Sequence, residues 1–227
     1  MISEQTGNVQ NKMKKYLFDF DGTLVDSMPA YAKVMIRILD ENGVAHEDGL
    51  VKIITPLGYA GTAKYFREKL GVKAPEDELV ATMHRYAKDE YAYRIPAKKN
   101  VADVLRKLKA RGADLNVLTA SPHAALDPCL KRLGLFDLFT NVWSCDDFAT
   151  TKSDPEIYKE AAKRLGVSVG DVLFLDDNYN ADHTAKIAGA TVCGVYDDSS
   201  AEYVDEIKKV SDHYIYDFTE LLDISAE

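Results

Sequence analysis

Short apolar runs that end on polar residues recur along this chain. Tyr16-Leu17-Phe18 runs into Asp19, Leu115-Asn116-Val117-Leu118 into Thr119, Asn141-Val142-Trp143 into Ser144, and Val172-Leu173-Phe174-Leu175 into Asp176. Each is too brief for a helix and reads as a buried strand. Thr191–Val195 and Tyr214–Tyr216 predict a fifth and a sixth. Between them lie stripes at helical spacing: Val101, Val104, Leu105 and Leu108 in one, Ile157, Ala161 and Leu165 in another. Gly112 and Gly166 follow as stops. Short apolar strands alternating with single helices predict an α/β fold with a parallel sheet and helices on both faces. Ligands of such sheets bind at the carboxyl ends of the strands.

One stretch breaks the alternation. From Met28 to Tyr93 there are helical stripes and no convincing strand. Tyr31, Val34, Met35, Ile38 and Leu39 form the first stripe, Ala63, Phe66 and Leu70 a later one, and Glu76 to Arg94 reads as a third, long helix rich in tyrosine. The expectation is a small all-helical domain, residues 28–94, inserted after the first strand of a core made of residues 14–27 and 95–227. Residues 1–13 are expected to be a flexible tail, being polar and lacking the apolar centre of a secretory signal.

Composition narrows the partners. With 46% hydrophobic and 29% charged residues, the chain is ordinary for a globular protein. A formal net charge of -9 opposes nucleic acid and anionic membranes, and no apolar run approaches twenty residues. Cys129, Cys145 and Cys193 are odd in number and widely spaced, which predicts reduced packing thiols and a cytoplasmic location.

The strand ends carry the chemistry. Asp19 and Asp21, Thr119, and Asp176 with Asp177 are expected at one edge of the sheet, with Lys152 in the loop after the third strand. So many carboxylates together call for a divalent cation. Oxygen ligands without histidine or cysteine at ligand spacing suit Mg2+ rather than zinc. Magnesium held by carboxylates commonly takes a phosphate oxygen as a further ligand, and a lysine and a hydroxyl can bind the others. A carboxylate can attack phosphorus to give an aspartyl phosphate. A second, two residues on, can protonate the leaving oxygen and later activate water. Gly22 permits the tight turn that this requires.

The segment Tyr16-Leu17-Phe18-Asp19-Phe20-Asp21-Gly22-Thr23-Leu24-Val25-Asp26-Ser27 resembles the first motif of the haloacid dehalogenase-like hydrolases. Leu118-Thr119-Ala120-Ser121 is similar to the second motif and Lys152 with Pro155 to the third. Phe174-Leu175-Asp176-Asp177-Asn178, followed by Ala188-Gly189-Ala190, is similar to the fourth. The resemblance implies a Rossmann-like core with a helical cap of the family's first type. It implies Asp19 as nucleophile and metal ligand, and Asp21 as general acid/base and backbone metal ligand. Asp177 would be the acidic metal ligand, and Thr119 and Lys152 would bind phosphate. Asp176, where the family often has glycine or glutamate, would ligate the metal directly or through water.

The reading is a Mg2+-dependent phosphatase acting on a small phosphorylated metabolite. A second aspartate in the first motif argues against dehalogenation. The alternative is a mutase of the beta-phosphoglucomutase type, which shares every motif. Those mutases typically carry a histidine soon after the first motif, where this chain has Tyr31. A non-catalytic phosphate-binding protein is a third reading, opposed by the intact carboxylates. His123 is expected to be structural, and Tyr86, Tyr91 and Tyr93 to be packing residues rather than pocket walls. Ser27, followed by Pro29, reads as a helix start, and Thr55-Pro56-Leu57-Gly58-Tyr59 as the recognition loop of the cap.

Overall fold

The computed structural model describes residues 15–224, so the expected tail at 1–13 lies outside the described residues. Six strands form one sheet: β1 (Lys15–Phe18), β2 (Asp114–Thr119), β3 (Asn141–Ser144), β4 (Val172–Asp176), β5 (Thr191–Val195) and β6 (His213–Ile215). Their order is β3-β2-β1-β4-β5-β6, and every neighbouring pair is parallel. The last strand begins and ends one residue earlier than its aromatic run suggests. His213 pairs with Cys193, while Tyr216 is exposed beyond the ladder.

The period-two alternation of β1 divides the core. Tyr16 and Phe18 point to one face, and Leu17 to the other. On the first face they meet the buried stripes of α5 (Val101–Ala110) and α6 (His123–Arg132), including Val104, Leu105, Leu126 and Leu130. On the second lie Ile157, Tyr158 and Ala161 of α7 (Pro155–Arg164) and Ala181 and Ala185 of α8 (Tyr179–Ala188). Two short helices, α9 (Val204–Val210) and α10 (Leu221–Ile224), lie in the last part of the described residues. This is the expected sheet with helices on both faces.

The insertion after β1 is all-helical: α1 (Met28–Glu41), α2 (Leu50–Ile54), α3 (Gly58–Glu68) and α4 (Glu76–Tyr93). The pattern predicted three of these. The five-residue α2 is too short to leave a periodic signature of its own. Val34, Met35, Ile38, Leu39, Ile54, Phe66, Leu79 and Met83 form a third apolar cluster, separate from the two against the sheet. The end of α4 departs from it, for Tyr91 packs on the first-face cluster of the sheet. Ser27 is the N-cap residue of α1, its carbonyl accepting the Tyr31 N–H at 3.0 Å and Pro29 following in the first turn, but its hydroxyl makes no cap bond and is buried with no partner.

Leu105 is fully buried on α5, whereas Ile187 on α8 is 62% exposed. Leu105→Ala is therefore expected to cost about 2–5 kcal/mol, and Ile187→Ala less than about 0.5 kcal/mol, in urea unfolding of the purified protein.

Candidate active site

Strand register brings the predicted residues together. Phe18 pairs with Val117 on one side and Leu175 on the other, so Asp19, the next residue, emerges between the ends of β2 and β4. The chain winds outward from β1 through β2 to β3, then returns to the other side for β4, β5 and β6. The carboxyl end of β1 is thus the switch point of the sheet, where such folds open a crevice. Asp19 still donates its backbone N–H to Leu175 at 2.8 Å.

The loop after Asp19 is held by its apolar members. Phe20, Leu24 and Val25 are fully buried, and the N–H groups of both Leu24 and Val25 donate to the Phe20 carbonyl. Gly22 turns the chain with φ of 76°, in the left-handed region that side chains disfavour. A methyl group there would also lie 2.6 Å from Asp177 Oδ1. The glycine is needed for the turn and for the space that the Asp177 carboxylate fills.

Asp19, Asp176 and Asp177 are buried, with one oxygen of each within 4.8 Å of the others. Lys152 Nζ donates to Asp19 Oδ1 at 2.5 Å and to Asp176 Oδ2 at 2.6 Å. Its backbone is fixed from α7, where the Tyr158 hydroxyl donates to the Lys152 carbonyl at 3.0 Å. Thr23 Oγ1 donates to Asp177 Oδ1 at 2.9 Å, and the Asn178 N–H to Asp176 Oδ1 at 2.8 Å. Burial, outweighing the Lys152 charge and reinforced by Asp176 and Asp21, raises the Asp19 carboxyl from 3.8 to about 7. Asp177 is pushed well above its ordinary range by burial and then by Asp176 and Asp19. Burial alone would lower the Lys152 ammonium, but Asp176 and Asp19 hold it well above its usual value.

Asp21 lies outside this ammonium-bridged group. Ser121 Oγ, just past β2, donates to Asp21 Oδ2 at 2.5 Å, and the Tyr91 hydroxyl donates to Oδ1 at 2.6 Å. Tyr91 was expected to be packing; its ring does stack on Phe20, with centroids 6.0 Å apart, but its hydroxyl enters the site. Tyr86 instead donates to Glu41, and Tyr93 is 71% exposed. Thr119 is buried and accepts the Ser121 N–H at 3.0 Å. His123 bridges Asp127 and Asp147 at 2.9 Å each, tying the start of α6 to the turn after β3. Donation to the carboxylates of Asp127 and then Asp147 favours the protonated ring and raises its pKa.

Lys98 has no signal in the sequence. Its ammonium donates to the carbonyls of Gly22 and Tyr196, each at 2.6 Å, and to Asp197 Oδ2 at 2.9 Å. Asp197 was discernible in principle, since it follows the end of β5 as Asp19 follows β1. Lys98 lies where the chain returns from the insertion, and there Val25 bridges Ala97.

The family model for haloacid dehalogenase-like hydrolases matches residues 13–189. The chain belongs to that family. YhcW of Bacillus subtilis, which carries the name of a phosphatase, is 30% identical over 181 residues, covering 78% of this chain and 80% of its own. The phosphoglycolate phosphatase of Salmonella typhi is 29% identical over 209 residues, covering 83% of both chains. In fold, the chain is similar to a Thermotoga maritima protein assigned as a beta-phosphoglucomutase, with a TM-score of 0.83 at 23% identity, covering 94% of this chain and 99% of that one.

The donor set of this haloacid dehalogenase-like hydrolase fits a divalent metal. Three buried carboxyl groups share one lysine, which bonds to Asp19 and Asp176, all ligand atoms are oxygens, and the Gly22 turn leaves room beside Asp177. Such a cation would stabilise the ionised carboxylates that burial penalises.

Two outcomes follow from this electrostatic arrangement. Gly22→Ala, forced into the left-handed region and into Asp177, should weaken divalent-cation binding at least about tenfold by titration calorimetry. Without metal, the folded protein retains the Asp19 proton up to about pH 7, whereas an ordinary aspartate releases it near 3.8. The folded state then binds more protons than the unfolded state between these values, so this contribution falls as pH rises through the window. Asp177, shifted the same way, adds to it. In chelator, the melting temperature should therefore fall from pH 5 to pH 8, and saturating divalent cation should raise it more at pH 8.

Proposed function

We propose that this chain is a Mg2+-dependent phosphatase that cleaves a small phosphorylated metabolite through an aspartyl phosphate on Asp19. The observation that carries the reading is the buried group at the switch point: Asp19, Asp176 and Asp177 together, the first two bridged by the Lys152 ammonium, with Asp21 two residues from Asp19. In the first step a carboxylate oxygen of Asp19 bonds to phosphorus, the ester P–O bond breaks, and Asp21 gives its proton to the leaving oxygen. In the second, Asp21 takes a proton from water as that water attacks phosphorus, restoring Asp19 and releasing phosphate. The Lys152 ammonium would bind a phosphate oxygen. Thr119, which accepts from Ser121, has its own hydroxyl proton to donate to another.

Asp19, Asp177, the Asp21 carbonyl and, directly or through water, Asp176 are the residues that would hold Mg2+. The ion would neutralise the nucleophile and the transferring phosphoryl group. Residues 28–94 act as the cap over the core of 14–27 and 95–227 and select the substrate. The family resemblance and the phosphatase names of the relatives support hydrolysis. So does Tyr31, which stands near the position of the mutase histidine. Its hydroxyl is within hydrogen-bond distance of Thr62 Oγ1 and the Ile54 carbonyl, and its ring stacks on Tyr59. The net charge of -9 argues against nucleic-acid and membrane partners. Three buried free thiols fit the reducing cytoplasm.

Phosphate release from a panel of phosphorylated metabolites, with isomerisation of beta-glucose 1-phosphate followed in parallel, tests the proposal. Mg2+-dependent hydrolysis should exceed isomerisation. Asp19→Asn should lose at least about 1,000-fold in kcat/KM while keeping its circular dichroism, and chelator should abolish turnover. Full activity in Asp19→Asn or in chelator, or isomerisation as the main reaction, overturns it.

A further inference from the structure

We infer that Tyr91, a residue of the inserted helical segment, is a positioning residue for the Asp21 carboxyl, aiming it at the leaving oxygen of the substrate. The inference rests on the phosphatase reading and extends it to a residue outside the four motifs.

Both oxygens of Asp21 are engaged by neutral hydroxyls, one from the core and one from the inserted segment. Ser121 reaches Oδ2 at 2.5 Å from the loop after β2, and Tyr91 reaches Oδ1 at 2.6 Å from the last turn of α4. Two bonds, one to each oxygen, fix the rotation of a carboxyl that a single bond would leave free about one axis. The Tyr91 ring is itself held. It stacks on Phe20, and Arg132 of α6 donates to the carbonyls of Tyr91 and Ile95. Packing alone explains the ring but not the hydroxyl, which phenylalanine would lack at no loss of apolar area.

The general acid matters in proportion to the basicity of the leaving group. An alkoxide must be protonated as it departs, whereas p-nitrophenolate leaves readily without help. For an enzyme that forms a phosphoryl intermediate, kcat/KM reports the steps up to the first irreversible one and so reads the acid role separately from hydrolysis of the intermediate. The experiment compares kcat/KM for p-nitrophenyl phosphate, phenyl phosphate and glycerol 1-phosphate in wild type, Tyr91→Phe, Ser121→Ala and Tyr93→Phe. Tyr91→Phe, which keeps the stacked ring, should lose about tenfold on glycerol 1-phosphate and less than about threefold on p-nitrophenyl phosphate. Phenyl phosphate should fall between. Ser121→Ala, reaching the same carboxyl from the core, should show the same ordering, and the exposed Tyr93→Phe should match wild type on all three. A loss in Tyr91→Phe that is equal across the substrates, or absent, overturns the inference, as does a uniform loss in Ser121→Ala. Failure of the phosphatase reading is distinct: wild type would then hydrolyse none of the three, or Asp19→Asn would hydrolyse them as well as wild type.

Discussion

The Lys152 ammonium lies between the carboxylates of Asp19 and Asp176 at the carboxyl end of the sheet, with Asp177 within ligand distance of both. Buried like charges repel, and burial by itself favours their protonated forms. One lysine only partly relieves this: burial and the neighbouring carboxyl groups still push Asp19 and Asp177 above the ordinary carboxylate range. The site therefore has a built-in demand for positive charge, and the surrounding architecture keeps it compact. The register of β1, β2 and β4 supplies the convergence, Thr23 and the Asn178 N–H orient two of the carboxylates, and Tyr158 fixes the segment that carries the lysine.

The inserted helices and the sheet have separate apolar clusters, yet the two parts meet at the first motif. Lys98 joins the Gly22 carbonyl to the end of β5, Val25 bridges Ala97, and Tyr91 reaches Asp21. All three contacts come from residues 91–98, where the chain returns from the insertion. The loop after Asp19 is thus braced by the segment that links the two parts, in addition to its own strand.

Much of this was legible in the sequence because it depends on local pattern. Short apolar runs gave the strands, and the polar residues ending them marked Asp19, Thr119 and Asp176. The break in alternation located the insertion. What escaped depends on direction and tertiary placement. Tyr91 sits on the same amphipathic helix as Leu79 and Met83, and nothing in its spacing shows that its hydroxyl leaves the cap cluster for the sheet. Ser121 was inside a quoted motif but had no visible partner, since Asp21 is 100 residues away in sequence. Lys98 has no sequence signal because its three oxygen partners come from two other loops. The two aspartate partners of His123 lie in a helix turn and a distant loop, and its position in the sequence does not show them.

The long helix α4 begins in one apolar cluster and ends in another: Leu79 and Met83 pack with the inserted helices, Tyr91 with the sheet, and Arg132 fastens its final turn to α6. The structural seam between the two parts consequently crosses the helix before the insertion ends in sequence. A chimera made by exchanging whole insertions at residues 27 and 95 would carry Tyr91 away with the donor segment and leave Asp21 with the Ser121 hydroxyl alone. A graft cut within α4, retaining its final turn with the recipient, would transplant the inserted helices while leaving the surroundings of Asp21 intact.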